Sequence, residues 1–478
     1  MPDQIVYNTL SRAKENFKPI NGRKVNMFVC GQTVYDDAHL GHAKNYINFD
    51  VIARWLRFTG YEVKYIQNIT DVDDKIIRRA AEEGTDPIGL ARRFESRFME
   101  DMEAIGVRKS VDMYPRSHDY IPEMVSQIQL LIDKGYAYVL DGDVYYDVSK
   151  FSSYTKLSGM KLEDLEKHRI EPKEGKRNSY DFALWKASKP AEPKWDITLS
   201  YGGKEHSLSG RPGWHIEDTA ITHAIFGEQY DLHGGAIELI FPHHTNEIAQ
   251  AEAAFGVSPF VKYWLHSGIM LIKGEKMSKS LKNFVRIRDI LNKFDAESVR
   301  LFVLSTHYRK DMAYSEELLR EASSRLGYMY MSLGMFYNMN TVASPQKCAE
   351  VDAAMEGLGS GFSEAMLDDF NTPLAIAHLS SAIEALRKYA ETYEQVSTAS
   401  KESAIGVVTA LGSVLGILQK DRYKETLPPE ALALIKERES LRSEKKFAQA
   451  DAKREEILKR FGIVIEDSIF GTLWRRAQ

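Results

Sequence analysis

The sequence predicts an α/β protein: a doubly wound parallel sheet with an inserted α+β subdomain, then a C-terminal α-helical bundle and a small terminal domain. Three observations predict it. The first seventy residues alternate strand, helix and strand; the alternation breaks near residue 115 at an aromatic hairpin; and helical periodicity dominates beyond residue 306.

Residues 25–30 (VNMFVC) form a short apolar run ended by Gly31, as in a buried strand. Tyr46, Phe49, Ile52, Trp55 and Leu56 recur at helical spacing, which predicts a helix over 43–58 closed by Gly60. Residues 62–69 (EVKYIQNI) are strand-like again. A βαβ unit of this size implies a parallel sheet, whose ligands sit beyond the carboxyl ends of its strands. Cys30 and residues 68–71 fall at two such ends.

Residues 136–147 (YAYVLDGDVYYD) place two aromatic strands around an Asp-Gly turn. The charged run 161–178 and the Pro- and Gly-containing stretch 186–213 complete an apparent insertion. Further on, periodicity predicts helices over 316–330, 352–367, 373–393 and 405–418, and a single charged helix over 430–460. The expected division is 1–114 and 211–305 for the two halves of the sheet domain and 115–210 for the insertion. The bundle then spans 306–425 and the terminal domain 426–478.

With 478 residues, 44% hydrophobic and 27% charged, the chain is too ordinary to be disordered and too long for one core. No run approaches the roughly 20 apolar residues of a membrane span. The N-terminus lacks a signal-peptide pattern, so a cytoplasmic protein without a membrane partner is expected. Two cysteines, Cys30 and Cys348, exclude a disulfide framework and an all-thiolate zinc site. A net charge of -5 leaves any nucleic-acid contact to local basic patches.

Two strings carry chemistry. His39-Leu40-Gly41-His42 precedes the first crossover helix, where unpaired N–H groups and close-approaching rings suit a phosphate. Alone it is short enough to arise by chance. Lys276-Met277-Ser278-Lys279-Ser280 follows Gly274, and two ammonium groups there suit a developing pyrophosphate charge. Alone it reads as a solvated basic loop.

Together, HLGH and KMSKS resemble the signatures of class I aminoacyl-tRNA synthetases. FVCGQTVYDDAHLGHAKNYINFDVIARWLRFTGYEVKYIQNITDVDDKI, GRPGWHIEDTAI, DLHGGAIELIFPHHTNEIAQ, KMSKSLKNF, LSTHYR and DDFNTPLA narrow the resemblance to the cysteinyl-tRNA synthetase family, from about residue 6 to 476. The resemblance implies ATP-dependent activation of cysteine to an adenylate and transfer to the 3' end of tRNA, with Mg2+ accompanying ATP. It implies that His39, His42, Lys276 and Lys279 act on the triphosphate. Gly41, Gly234, Gly235 and Glu238 join His42 and Lys279 around the nucleotide. Cys30, Gly31, Thr70, Asp71, Trp214 and His215 surround the amino acid. It further implies a Zn2+ that reads the thiol, on Cys30, Asp218, His243 and Glu247.

Asp218 stands where the family pattern carries a second cysteine, making a harder site of one thiolate and two carboxylates. Nearby, Gly234-Gly235-Ala236-Ile237-Glu238-Leu239 departs from a Gly-Gly-Gly-x-Asp-Leu run. Gln32 replaces a proline, Thr245 an acidic residue and Lys282 a glycine. These departures keep two alternatives open: a paralogue with another amino acid or acceptor, and a non-catalytic RNA-binding descendant. In the tail, Arg438, Arg442, Lys446 and Arg454 cluster with Lys445 and Lys453, and Trp474-Arg475-Arg476 adds an aromatic beside cations. Cations for phosphates and an aromatic for an unpaired base suit single-stranded RNA. The Gly471–Arg475 string is similar to the end of the family's anticodon-binding module, which implies tRNA as partner. A monomer is expected.

Overall fold

In the computed structural model, the described residues are 3–161, 173–190, 192–272, 274–276, 284–343, 348–424, 427–468 and 471–476. They fall into two compact units, one of 1–291 with 308–313 and one of 292–307 with 314–478.

The first unit is built on four parallel strands in the order Val261–Ser267, Tyr230–Ala236, Lys24–Thr33, Glu62–Thr70. Parallel bridges from Ile66 to Met113 and Ile69 to Arg116 extend it. The helix Leu40–Phe58 makes the crossover and buries Tyr46, Phe49, Ile52, Trp55 and Leu56, the residues whose spacing predicted it. After the first strand the chain goes first to one neighbour, Glu62–Thr70, and much later to the other, Tyr230–Ala236. The sheet's switch point therefore lies at the carboxyl ends of Lys24–Thr33 and Tyr230–Ala236, where such folds open a crevice.

Within the 115–210 stretch, Ala137–Leu140 and Asp143–Tyr146 pair antiparallel across Asp141 and Gly142, both at positive φ (52° and 84°) as a two-residue hairpin turn requires. Phe182–Ala187, Lys204–Pro212 and Trp195–Tyr201 complete a five-stranded antiparallel sheet. The helix Ile121–Asp133 contributes Met124, Ile128 and Leu131 to a core that includes Tyr146, Leu184 and Trp185. Most of the charged run 161–178 lies outside the described residues.

The second unit is helical: Ala296–Leu304, Glu316–Tyr337, Ala349–Leu367, Thr372–Thr392 and Thr398–Leu415. The unit begins at Asn292 rather than at 306, because Val299, Leu301 and Leu304 are buried on a helix of this unit. Residues 308–313 belong to the first unit, where Met312 N donates to Ile269 O. The single helix expected over 430–460 is instead a hairpin of Pro429–Ser443 and Phe447–Phe461, with Lys445 at φ 61° between them. A continuous helix would leave Leu434 and Ile435 far from Ile457. Folding back buries all three with Ile463 and Ile465 of a final two-stranded ribbon, Ile463–Ser468 and Gly471–Arg476. Among the described residues no helix is long and apolar enough to cross a membrane.

Candidate active site and metal centre

Cys30 ends the unbroken buried run of the strand Lys24–Thr33, in an apolar cluster with Phe28, Ile66, Tyr230, Ile248 and Trp264. Its Sγ donates to Asp218 Oδ2 at 3.3 Å and lies 3.1 Å from His244 Nε2 and 3.3 Å from His233 Nε2. Asp218 projects from the first turn of the helix Ile216–Phe226. His243 and His244 close a turn that runs into the helix Thr245–Phe255, and Glu247 lies in that helix's first turn. His243 Nε2 is 3.1 Å from Asp218 Oδ2 and 3.2 Å from Glu247 Oε1. Cys30, Asp218, His243 and Glu247 thus converge, with ligand atoms all within 4.8 Å of one another. Cys30, His233, His244 and Glu247 converge equally.

Every member is buried. Burial, reinforced by the Asp218 and Glu247 carboxylates, pushes the Cys30 thiol up. Burial with Asp218 and Glu217 nearby pushes the Glu247 carboxyl up. Burial, with neighbouring rings, drives His215, His233 and His244 well below the ordinary imidazole value, and His266 falls to about 3. Neutral imidazole is the form that ligates a metal. Neither Glu247 oxygen accepts a hydrogen bond. A buried carboxylate without a donor is costly, and a cation among these donors removes that cost while letting Cys30 and Glu247 ionise. The donors fit a divalent metal.

The rings are held by outer partners, as metal-ligating histidines are. His243 Nδ1 faces His215 Nδ1 at 2.9 Å, and its ring stacks on Trp214 with centroids 4.2 Å apart. His244 Nδ1 faces His266 Nε2 at 2.8 Å. Tyr230 Oη lies 2.5 Å from His233 Nδ1. Asn68 Nδ2 donates to Asp218 Oδ1 at 2.7 Å. Gly235 abuts the His244 ring, 2.7 Å from where a Cβ would stand, and Gly31 has no room for one beside Asn68 O. Both glycines are required by packing at the centre itself.

His39 caps the helix Leu40–Phe58: its Nδ1 accepts from Gly41 N, while His42 Nδ1 accepts from His39 N. The two rings stack with centroids 3.8 Å apart, half-buried at the helix N-terminus. Leu40 N donates to Val285 O at 2.8 Å and Ile287 N to Ala38 O at 3.1 Å, so the chain just beyond KMSKS runs beside HLGH. Buried Asp37 draws Arg97, Arg286 and Arg288 around this junction. Lys279 and Lys282 lie outside the described residues, as does the side chain of Lys276.

Among the residues expected around the amino acid, Cys30, Gly31, Trp214 and His215 line this region. Thr70 is buried and donates to Glu217 Oε1 at 2.7 Å, and Asp71 is paired with His118. Gly234 packs against Phe49, and Glu238 is exposed. Gln32 and Thr245 bond the backbone of Asp36 and Ile240, so two of the departures satisfy local carbonyls. Sequence reasoning placed Asn68 at a strand end without a role and passed over His233, His244, His266 and Glu217. The adjacency of His244 to His243 is the one signal that could have found any of them.

The tail needs a correction. Arg438 is not a surface cation for RNA: it is fully buried, and both Nη atoms bond Asp467, one at 2.8 Å. Arg442 joins the same carboxylate at 3.0 Å, and Lys446 pairs with Glu444 at 2.7 Å. Trp474 is half-buried against the core of Leu434, Ile457 and Ile465. Arg454 is exposed, and the side chain of Arg475 lies outside the described residues.

The fold and these motifs define a class I aminoacyl-tRNA synthetase. Residues 16–324 match the tRNA synthetases class I (C) catalytic domain, and residues 361–419 match the DALR domain. Methionyl-tRNA synthetase of Mycobacterium tuberculosis, solved with methionyl-adenylate, shares the fold at TM-score 0.59 and 19% identity, over 82% of this chain and 89% of that one. The leucyl enzyme in a ternary complex from Agrobacterium radiobacter does so at TM-score 0.60 and 12% identity, over 86% and 87%. The cysteine–tRNA ligases of Thermococcus gammatolerans and Pyrococcus horikoshii are 45% and 46% identical, each over 98% of both chains. The chain belongs to the cysteine–tRNA ligase family.

Proposed function

We propose that the chain activates cysteine with ATP and transfers it to tRNA, most economically the cysteine tRNA, acting as a monomer. The substrate carboxylate attacks the α-phosphorus, pyrophosphate leaves, and a terminal tRNA hydroxyl then displaces AMP from the activated carbonyl. No covalent enzyme intermediate is needed; the protein orients the reactants and stabilises phosphate charge. His39 and His42, at a helix N-terminus beside Gly41, receive the triphosphate, accompanied by Mg2+. Lys276 and Lys279 neutralise the departing pyrophosphate. Gly234, Gly235 and Glu238 border the nucleotide.

Trp214 and His215 wall the amino-acid site, with Thr70 and Asp71 at its edge. Cys30 and Glu247, common to both donor sets, hold a zinc ion with Asp218 and His243 or their histidine counterparts. A bound zinc supplies a partner for a thiolate and a poorer one for a hydroxyl. Arg442, Lys446, Arg454, Trp474 and Arg475 form the tRNA-facing tail, without Arg438.

The observation that carries this reading is the meeting, at one switch point, of the HLGH helix start and a buried cluster whose Glu247 oxygens accept no hydrogen bond. Pyrophosphate exchange with cysteine, serine and other amino acids, with and without tRNA, tests it. Cysteine-dependent exchange followed by charging of tRNA is expected. Exchange driven by another amino acid indicates the altered paralogue, and no exchange at all indicates the RNA-binding descendant.

A further inference from the structure

Two four-donor sets share Cys30 and Glu247, and they differ in chemistry. The set with Asp218 and His243 offers one sulfur, one nitrogen and two carboxylates. The set with His233 and His244 offers one sulfur, two nitrogens and one carboxylate. A borderline ion such as zinc takes thiolate and imidazole ahead of a second carboxylate. The family pattern carries a thiolate at position 218; this chain does not.

Geometry admits both sets, whose ligand atoms lie within 4.8 Å of one another. Four tetrahedral donors on bonds of 2.0–2.3 Å stand about 3.3–3.7 Å apart. In the set with His233 and His244, the Nε2 atoms of His244 and His233 stand 3.1 and 3.3 Å from Cys30 Sγ, and His244 Nε2 stands 4.0 Å from Glu247 Oε1. Separations in the Asp218 set are 3.1–3.3 Å, so donor chemistry and ring orientation rather than distance choose between the seats. Each ring of the nitrogen-rich set is already oriented by a partner on Nδ1, Tyr230 Oη for His233 and His266 for His244, leaving Nε2 toward Sγ. His266 is itself fixed by Thr9 Oγ1 at 2.8 Å. Asp218 meanwhile has a partner of its own in Asn68.

We propose that zinc in the resting enzyme sits on Cys30, His233, His244 and Glu247, with Asp218 outside the shell on its bond from Asn68. The proposal rests on the reading that this cluster binds zinc. In this seat His243 is a wall of the amino-acid site, stacked on Trp214 and facing His215, rather than a ligand.

Zinc-edge X-ray absorption on the purified full-length chain, beside its zinc stoichiometry, tests this without any substitution. The expected shell holds one sulfur and two imidazoles. In Asp218→Cys the ion returns to the other seat, with two sulfurs and one imidazole. Chelator competition should show His244→Gln weakening zinc by roughly 10–100-fold and His243→Gln by less than about 3-fold. A stoichiometric zinc with one sulfur and one imidazole, or loss of affinity in His243→Gln but not His244→Gln, overturns this seat and leaves the zinc reading standing. A chain that takes up no zinc when supplied with it overturns both.

Discussion

Glu247 and Arg438 are both ionisable groups with no solvent exposure, in different units of the molecule, and they have opposite surroundings. Arg438 is matched: two guanidinium nitrogens bond Asp467, and the pair fastens the helix Pro429–Ser443 to the terminal ribbon. Glu247 has no cation of its own among the described residues: the His243 ring stands 3.2 Å away, neither oxygen accepts a hydrogen bond, and burial, then the Asp218 carboxylate, raises its proton affinity. A matched buried charge serves the fold, while a buried acid without a hydrogen-bond donor, beside the strand ends, marks a place for something else. Residue type alone pointed the other way for Arg438, which in sequence looks like one more cation in a basic cluster.

That contrast predicts large chemical effects in the sheet-end cleft and structural or modest ones in the tail. Lys279→Ala should slow adenylate formation by roughly 10²–10³-fold while moving the KM for cysteine by less than about 3-fold. Rapid-quench measurement of the adenylate separates the two, and an equal loss in both removes Lys279 from the transition state. Glu247→Gln keeps the volume and removes the charge both donor sets share. Zinc affinity and cysteine activation should fall together by about 100-fold, and retention of both would make Glu247 a structural residue like Arg438.

Within the tail the asymmetry of the Arg438 pair is itself testable. Asp467→Asn leaves a buried guanidinium without its anion and should cost about 2–3 kcal/mol locally. Arg438→Met leaves a partly exposed Asp467 still beside Arg442 and should cost about 1 kcal/mol or less. Hydrogen exchange over Pro429–Ile465 reads both, and the reverse order would show that the ion pair does not fasten the ribbon. Arg454→Ala, on an exposed cation, should raise the KM for tRNA only about 2–5-fold and reduce the salt slope by about one.

The sheet was legible because its strands are buried on both faces and its crossover helix is apolar at helical spacing, signals that need no long-range information. The Asp141-Gly142 hairpin was legible for the same reason: a two-residue turn with positive φ names its own residues. HLGH and the Cys30, Asp218, His243 and Glu247 cluster were readable through the family resemblance, the cluster from three separate stretches of chain. The role of His233 was not readable. It depends on strand register, Leu232 opposite Met27 and Gly234 opposite Val29, which points that ring to Cys30. The break at Lys445 was missed because a charged stretch with no Gly or Pro reads as continuous helix. Only the need to cover Leu434, Ile435 and Ile457 against one another folds it back.

Cysteine- and serine-dependent pyrophosphate exchange, measured on the full chain after metal removal and again after zinc is restored, tests the central claim most directly. If the buried cluster reads the thiol through a cation, metal removal lowers cysteine activation by roughly 100-fold or more, serine stays at background, and zinc restores the difference. A metal-free chain that activates cysteine as fast, and rejects serine as well, would contradict the account and place thiol recognition in pocket shape and hydrogen bonding.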